Sequence, residues 1–101
     1  MGAVRNGIRF RGIQIDTDAK TISVDGEEVS FTKGEYELLK FFLENRDKVF
    51  SKEQLLKSVW PDDVTATLHT VEVTLAHIRR KIGPYADNLV ELPGWGFSFQ
   101  E

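Results

Sequence analysis

The sequence predicts an α+β domain in which short strands come first, three helices follow, and a β-hairpin ends the chain. Three observations predict this order. Apolar residues alternate with polar ones in short runs over residues 8–31, and then recur at helical spacing between residues 32 and 82. Residues 89–99 alternate again around Pro93-Gly94. With 101 residues, 41% of them hydrophobic, the chain is long enough for one domain with a modest core.

The first third of the chain has the pattern of short strands. Their apolar positions are Ile8, Phe10, Ile13, Ile15, Ile22 and Val24. Asp25-Gly26 favours a hairpin turn between Ile22–Val24 and Val29–Phe31. The pattern begins only at Ile8, so we expect residues 1–7 to be a linker or tag stub and residues 8–101 to form the domain.

Two capping boxes predict where the first two helices begin. In a capping box, a Ser or Thr side chain and the Glu or Gln three residues later satisfy each other's backbone N–H groups. The pairs are Thr32 with Glu35 and Ser51 with Gln54. They predict helices over residues 33–45 and 52–60, and Pro61 ends the second.

A third helix is predicted after a loop over residues 61–66. Its cap is Thr67 or Thr65, and it ends at Ile82, where Gly83-Pro84 supplies a stop. On a helical wheel, one stripe is apolar and is expected to be buried: Leu68, Val71, Leu75, Ile78 and Ile82. The opposite face carries His69, Val73, Ala76, His77 and Arg80, with Arg79 and Lys81 on its flanks.

Val73 is the unusual residue on this opposite face, because a solvated helix normally carries a polar side chain there. One interpretation is that Val73 contacts thymine methyl groups in a DNA groove, with neighbouring His and Arg side chains on base edges or phosphates. The other is a single exposed valine, which is common in proteins and needs no special explanation.

Charge is unevenly distributed along the chain. The net charge of −3, from 13 basic and 16 acidic side chains, argues against nucleic-acid binding if it is taken alone. The end of the third helix, however, carries Arg79, Arg80 and Lys81. These cations either form a basic face or simply complement the helix dipole, which favours positive charge in a last turn.

Several classes of protein find no support in the sequence. There is no cysteine, so disulfides and thiolate zinc sites are excluded, and a cytoplasmic location is favoured. His69 and His77 stand two helical turns apart, too far to share a metal ion. We identify no catalytic motif, no cofactor site and no apolar run long enough for a membrane span. The adjacent acids Asp62 and Asp63 fit a solvated loop better than a metal site.

Four stretches resemble the DNA-binding domains of OmpR/PhoB-type response regulators. Thr70–Ile82 resembles the recognition helix of that family, T-V-D-V-H-I-x-x-L-R-x-K-L. Phe31–Leu39 resembles L-T-x-x-E-F-x-L-L, and Val49–Leu56, followed by Val59-Trp60, resembles V-x-S-R-E-x-L-L. Gly94–Phe99 resembles G-x-G-Y-x-F at the end of the family's domain. Together the motifs span nearly the whole chain in the right order.

The resemblance implies a winged helix-turn-helix with an N-terminal four-stranded antiparallel sheet, three helices and a C-terminal hairpin that forms the wing. The third helix would enter the major groove of DNA and the wing the adjacent minor groove. The expected contacts on the third helix are His69, Thr70, Val73, Thr74, Ala76, His77, Arg79, Arg80 and Lys81. Others are Trp60, Ser51 and Lys52 on the DNA backbone, Pro93, Gly94 and Trp95 in the wing, and Asp62, Asp63 and Val64 toward RNA polymerase.

Two functions are compatible with these observations. The first is sequence-specific binding of double-stranded DNA, usually at direct repeats, by a monomeric output domain under control of a receiver domain outside this chain. The second is a divergent winged helix that now binds proteins. The wing bears on this choice, because Pro93 and Ser98 occupy places where the family carries arginines. We therefore expect few phosphate contacts and weak DNA binding by the isolated domain.

Overall fold

The computed structural model describes residues 6–101 and contains two antiparallel sheets separated by three helices. The N-terminal sheet consists of β1 (Gly7–Phe10), β2 (Ile13–Asp16), β3 (Thr21–Val24) and β4 (Glu27–Val29). The helices are α1 (Lys33–Glu44), α2 (Lys52–Val59) and α3 (Leu68–Lys81). A 3₁₀ segment (Gly83–Asn88) leads into the terminal hairpin of β5 (Leu89–Leu92) and β6 (Gly96–Phe99). The predicted α+β class and element order are confirmed.

The N-terminal sheet is a simple meander in the order β1-β2-β3-β4. Apolar and polar residues alternate along its strands as the sequence predicts. Ile13, Ile15 and Ile22 are buried on the face that meets the helices. The β3–β4 turn is built on Asp25 and Gly26, both with positive φ, which is the two-residue turn that matches strand twist.

The capping boxes at Thr32 and Ser51 form as predicted, and Thr67 forms a third one with Thr70. The cap of α3 is thereby settled as Thr67 rather than Thr65. Helix α1 occupies the centre of the domain and is buried on more than one side. Its buried residues are Glu35, Tyr36, Leu38, Leu39, Phe42 and Leu43.

The terminal hairpin is attached to the helices through the segment between α1 and α2. Phe50 and Phe97 exchange two backbone hydrogen bonds, with N···O distances of 2.9 and 2.8 Å. This pairing needs glycine at residue 96, where a Cβ atom would lie 2.1 Å from the carbonyl oxygen of Phe50. The hairpin is therefore held in a fixed place beside the start of α2.

Several predicted boundaries move by one or two residues. Strand β4 is Glu27–Val29, so Phe31 lies outside it, while Asn45 and Trp60 are the C-caps of α1 and α2 rather than their last turns. Strand β1 begins at Gly7, and the carbonyl of Asn6 accepts from the Thr17 backbone, so the folded part starts slightly earlier than Ile8. Residues 1–5 of the expected stub lie outside the described residues.

One predicted burial assignment is wrong, and the structure places a tryptophan whose surroundings the sequence left open. Leu68 is 37% exposed, because the first residue of α3 lies beyond the elements that cover Val71, Leu75, Ile78 and Ile82. Trp95 lies outside β6, whose Phe97 and Phe99 are buried. It lies in the turn, where its N–H donates to the Leu92 carbonyl, and it is 77% exposed.

Candidate nucleic-acid interface

Helix α3 has one side in the core and one side in solvent. Val71, Leu75 and Ile78 are buried against the rest of the domain. The outward side presents a run of exposed residues: Leu68, His69, Glu72, Val73, Ala76 and Arg80. Such a two-sided helix after a helix and a loop is the arrangement by which helix-turn-helix proteins place side chains in the major groove.

The orientation of α3 depends on a buried carboxylate from α1. Glu35 is 3% exposed, and its Oε1 atom accepts hydrogen bonds from the Thr32 backbone N–H and from Lys81 Nζ, at 3.0 and 2.5 Å. Its Oε2 atom lies 3.0 Å from His77 Nδ1. One side chain thus caps α1 and links it to two successive turns of α3.

These partners set the charge state of Glu35. Burial raises the pKa of its carboxyl, but the hydrogen bonds from Lys81, the Thr32 backbone and His77 outweigh that effect and leave the pKa lowered. The carboxylate is therefore ionised at neutral pH. The capping-box pattern predicts the role of Glu35 at the start of α1. No local pattern predicts its contacts with His77 and Lys81, which lie 42 and 46 residues further along the chain.

Two of the three cations at the end of α3 are engaged within the domain. Arg79 donates to the carbonyl of Leu89 at 2.6 Å, which fixes the start of the terminal hairpin, and Lys81 pairs with Glu35. Arg80 is exposed and has no ion pair or side-chain hydrogen bond among residues 6–101. Only one side chain of the basic run therefore faces solvent without a protein partner in this part of the chain.

A second ion pair joins α2 to α3. Lys52 Nζ lies 2.5 Å from Glu72 Oε2, and His69 Nδ1 lies 3.7 Å from Glu72 Oε1. The hydrogen bond with Glu72 raises the pKa of Lys52. Lys52, expected at the DNA backbone, is consequently held against an acidic residue of α3 that sequence reasoning did not single out.

Two threonines of α3 make local hydrogen bonds instead of pointing to solvent. Thr74 is 8% exposed, and its hydroxyl donates to the Thr70 carbonyl at 2.7 Å. The Thr70 hydroxyl in turn accepts from the Thr67 backbone N–H. Thr74 is therefore a structural residue, although the family resemblance placed it in the DNA-contacting set.

The expected backbone contacts lie at opposite ends of α2. Ser51 Oγ accepts from Gln54 N at 3.1 Å, which leaves its O–H able to donate to a phosphate. Trp60 is half-buried against Gly34, where an added Cβ atom would meet its ring at 3.2 Å. The indole N–H of Trp60 makes no hydrogen bond within residues 6–101.

The wing and the loop over residues 61–66 are both largely exposed. Pro93, Gly94 and Trp95 form the wing turn, and Lys52, Glu53 and Glu91 line the surface cavity beside it. In the loop, Asp62 and Asp63 are exposed and Val64 is 97% exposed. Hydrogen bonds from the Thr65 hydroxyl and backbone lower the pKa of Asp63, so the loop is anionic at neutral pH.

The fold and the exposed helix together define a winged-helix domain. The family model described as "Transcriptional regulatory protein, C terminal" matches residues 26–99. The chain belongs to this family, the C-terminal DNA-binding domains of OmpR/PhoB-type response regulators.

Relatives and solved structures agree with this assignment. Response regulator ArlR of Staphylococcus haemolyticus is 39% identical over 83% of this chain, and ResD of Bacillus subtilis, a transcriptional regulatory protein, is 37% identical over 95%. The chain spans 39% and 42% of their lengths. The response regulator DrrB of Thermotoga maritima, an OmpR/PhoB homologue, matches with a TM-score of 0.80 at 26% identity, over 94% of this chain and 44% of DrrB. The DNA-binding domain of AdeR, solved in complex with an intercistronic region, shares the fold with a TM-score of 0.80 at 22% identity. The match covers 92% of this chain and 98% of the AdeR domain.

Glu35→Gln is expected to lower the free energy of unfolding by about 1–3 kcal/mol at pH 7. The loss is smaller than that from breaking a fully buried ion pair, because Lys81 and His77 remain partly exposed. Since the folded-state pKa lies below the ordinary 4.5, this contribution is complete above pH 4.5 and is lost as pH falls through the lowered value. Urea unfolding at a series of pH values from 3 to 7 measures the free energy of unfolding of wild type and variant.

Glu37→Gln is the matched control, because Glu37 lies on the same helix and forms no ion pair within residues 6–101. The gap in stability between wild type and Glu35→Gln should narrow at acid pH, while Glu37→Gln should follow wild type throughout. A gap that stays constant from pH 7 to pH 3 would contradict the assigned role of the Glu35 charge.

Proposed function

We propose that this domain binds double-stranded DNA sequence-specifically, with α3 in the major groove, as the output domain of a two-component response regulator. The observation that carries the proposal is the uncovered outward side of α3 beside an exposed wing. A 14-residue helix is about 21 Å long and fits a major groove about 12 Å wide. Family membership and relatives that are themselves response regulators support the same function.

The contacts divide by position on α3. His69, Val73, Ala76 and Arg80 lie on the outward side and would meet the bases or the phosphates beside them. His77 is 43% exposed, so its ring reaches the edge of this surface while Nδ1 stays on Glu35. Arg79 and Lys81 would orient the helix through their internal partners, and Thr70 and Thr74 would stabilise it.

Phosphate contacts would come from the elements beside α3. The Ser51 hydroxyl, the Lys52 ammonium and the Trp60 indole N–H each offer a donor. A phosphate would compete with Glu72 for Lys52. Because few cations are available, tandem binding at direct repeats would raise the affinity through effective concentration.

The domain would act within a larger regulator. Its relatives are more than twice its length, which leaves room for a phosphorylatable receiver domain that controls it. We place the protein in the bacterial cytoplasm and assign it no catalytic activity, since its relatives are transcriptional regulators. No helix within residues 6–101 is long and apolar enough to cross a membrane.

Arg80→Ala is expected to weaken binding to duplex DNA and to reduce the slope of log K against log salt by about 0.9, because each phosphate contact releases counterions. Fluorescence anisotropy at several salt concentrations measures this, with random-sequence duplex and with duplex that carries direct repeats. Lys40→Ala removes the same charge from α1, where Lys40 pairs with Glu44, and should change neither value. Absence of binding by wild type to both duplexes at low salt would contradict the proposal and favour the protein-binding alternative.

The wing would approach the minor groove through Trp95 rather than through a cation. Trp95→Ala is expected to weaken binding with an unchanged salt slope, because an indole contacts the apolar edges of the sugars and not the phosphates. Trp95→Arg should bind more tightly at low salt and steepen the slope by about 0.9. Gln14→Arg, which adds the same charge on β2, is the control. Equal binding by wild type and both Trp95 variants would show that the wing does not touch DNA.

The loop over residues 61–66 would contact RNA polymerase, as the family resemblance suggests. Its exposed Val64 beside the acidic pair Asp62 and Asp63 supports this assignment. Val64→Asp is expected to weaken binding of the immobilised domain to purified bacterial RNA polymerase in biolayer interferometry. Val49→Asp places the same change at another exposed valine and should bind as wild type does. Undiminished binding by Val64→Asp would remove the loop from the polymerase surface.

A further inference from the structure

The centre of the outward side of α3 carries no hydrogen-bonding side chain. Val73 is 37% exposed and Ala76 is exposed, and they stand about 60° apart on the helix and about 4.5 Å apart along its axis. The donors on this side stand at its two ends. His69 lies one turn before Val73, and Arg80 lies one turn after Ala76.

The polar neighbours of this centre are engaged in contacts of their own. The Thr74 hydroxyl is buried and donates to the Thr70 carbonyl, and His77 is directed to Glu35. Glu72 is paired with Lys52. The middle of the surface is therefore an apolar patch of one β-branched and one small side chain, which we call the Val73–Ala76 patch.

The base edges in the major groove differ in what they require of a protein. Guanine is recognised chiefly by Arg or Lys donors to O6 and N7, and adenine by Asn or Gln, whereas thymine offers a C5-methyl group to apolar side chains. The Val73–Ala76 patch has no donor for guanine and no amide for adenine. Its chemistry matches the thymine methyl alone.

We propose that the Val73–Ala76 patch selects thymine methyl groups, so that the preferred DNA site has a thymine-centred core rather than a guanine-centred one. This inference rests on the proposed DNA binding. The axial distance of about 4.5 Å between the two residues compares with about 3.4 Å between stacked base pairs, so the patch spans one or two neighbouring steps. His69 and Arg80 would make the polar contacts on either side of this core.

The test begins with selection of sites from a random duplex pool by the wild-type domain. Thymines enriched at the core are then replaced one at a time by 2′-deoxyuridine, which removes only the methyl group and keeps the pairing. Loss of one buried methyl, worth about 0.8 kcal/mol, should weaken binding about fourfold at a core position. The same replacement outside the core should have no effect.

Variants tie the methyl preference to the patch. Val73→Ala should lower the preference for thymine over uracil at a core position to about one, while Val49→Ala, at an exposed valine between α1 and α2, should keep it. Circular dichroism checks that both variants retain their helices. Ala76→Arg should move the selected core toward guanine.

The outcomes separate this inference from the function on which it rests. A wild-type domain that recovers no enriched site and binds no duplex at low salt overturns both. A domain that binds a defined site with equal affinity for thymine and uracil, or with a guanine-centred core, overturns the inference and leaves DNA binding intact.

Discussion

The buried carboxylate of Glu35 is the interaction on which the placement of the DNA-facing surface depends. It closes the first turn of α1 and accepts hydrogen bonds from His77 and Lys81, one turn apart on α3. Because both contacts lie on one flank of α3, they fix the rotation of that helix about its own axis. That rotation decides that Val73 and Ala76 face outward while Val71 and Leu75 face the core.

The contacts that orient α3 also occupy three cations on and beside it. Lys81 is bound to Glu35, Arg79 to the Leu89 carbonyl, and Lys52 to Glu72. In a domain with a net charge of −3, Arg80 is then the one cation of the Arg79–Lys81 run without a protein partner among residues 6–101. The surface is thus well suited to sequence-specific recognition of base edges. It is poorly suited to non-specific binding, which depends on phosphate contacts. This balance is the reason for proposing that binding at direct repeats raises the affinity.

Most of the fold could be predicted from the sequence because its signals are local. Capping boxes, the Asp25-Gly26 turn and the stripe from Val71 to Ile82 each depend on residues a few positions apart. The site was less predictable, since the side chains that capture Lys52, His77 and Lys81 lie 20 to 46 residues away. A helical wheel gives the direction of a side chain and does not give its partner.

The positions of the two tryptophans have a practical consequence. The chain contains only Trp60 and Trp95, and they occupy different surroundings. Trp60 is half-buried against Gly34 at the end of α2, whereas Trp95 stands in water at the tip of the hairpin. Replacing either one by phenylalanine leaves a single indole whose ultraviolet emission reports one end of the surface. The unlabelled domain therefore carries two intrinsic optical probes, which can show separately when the helix side and the wing side lose contact with water.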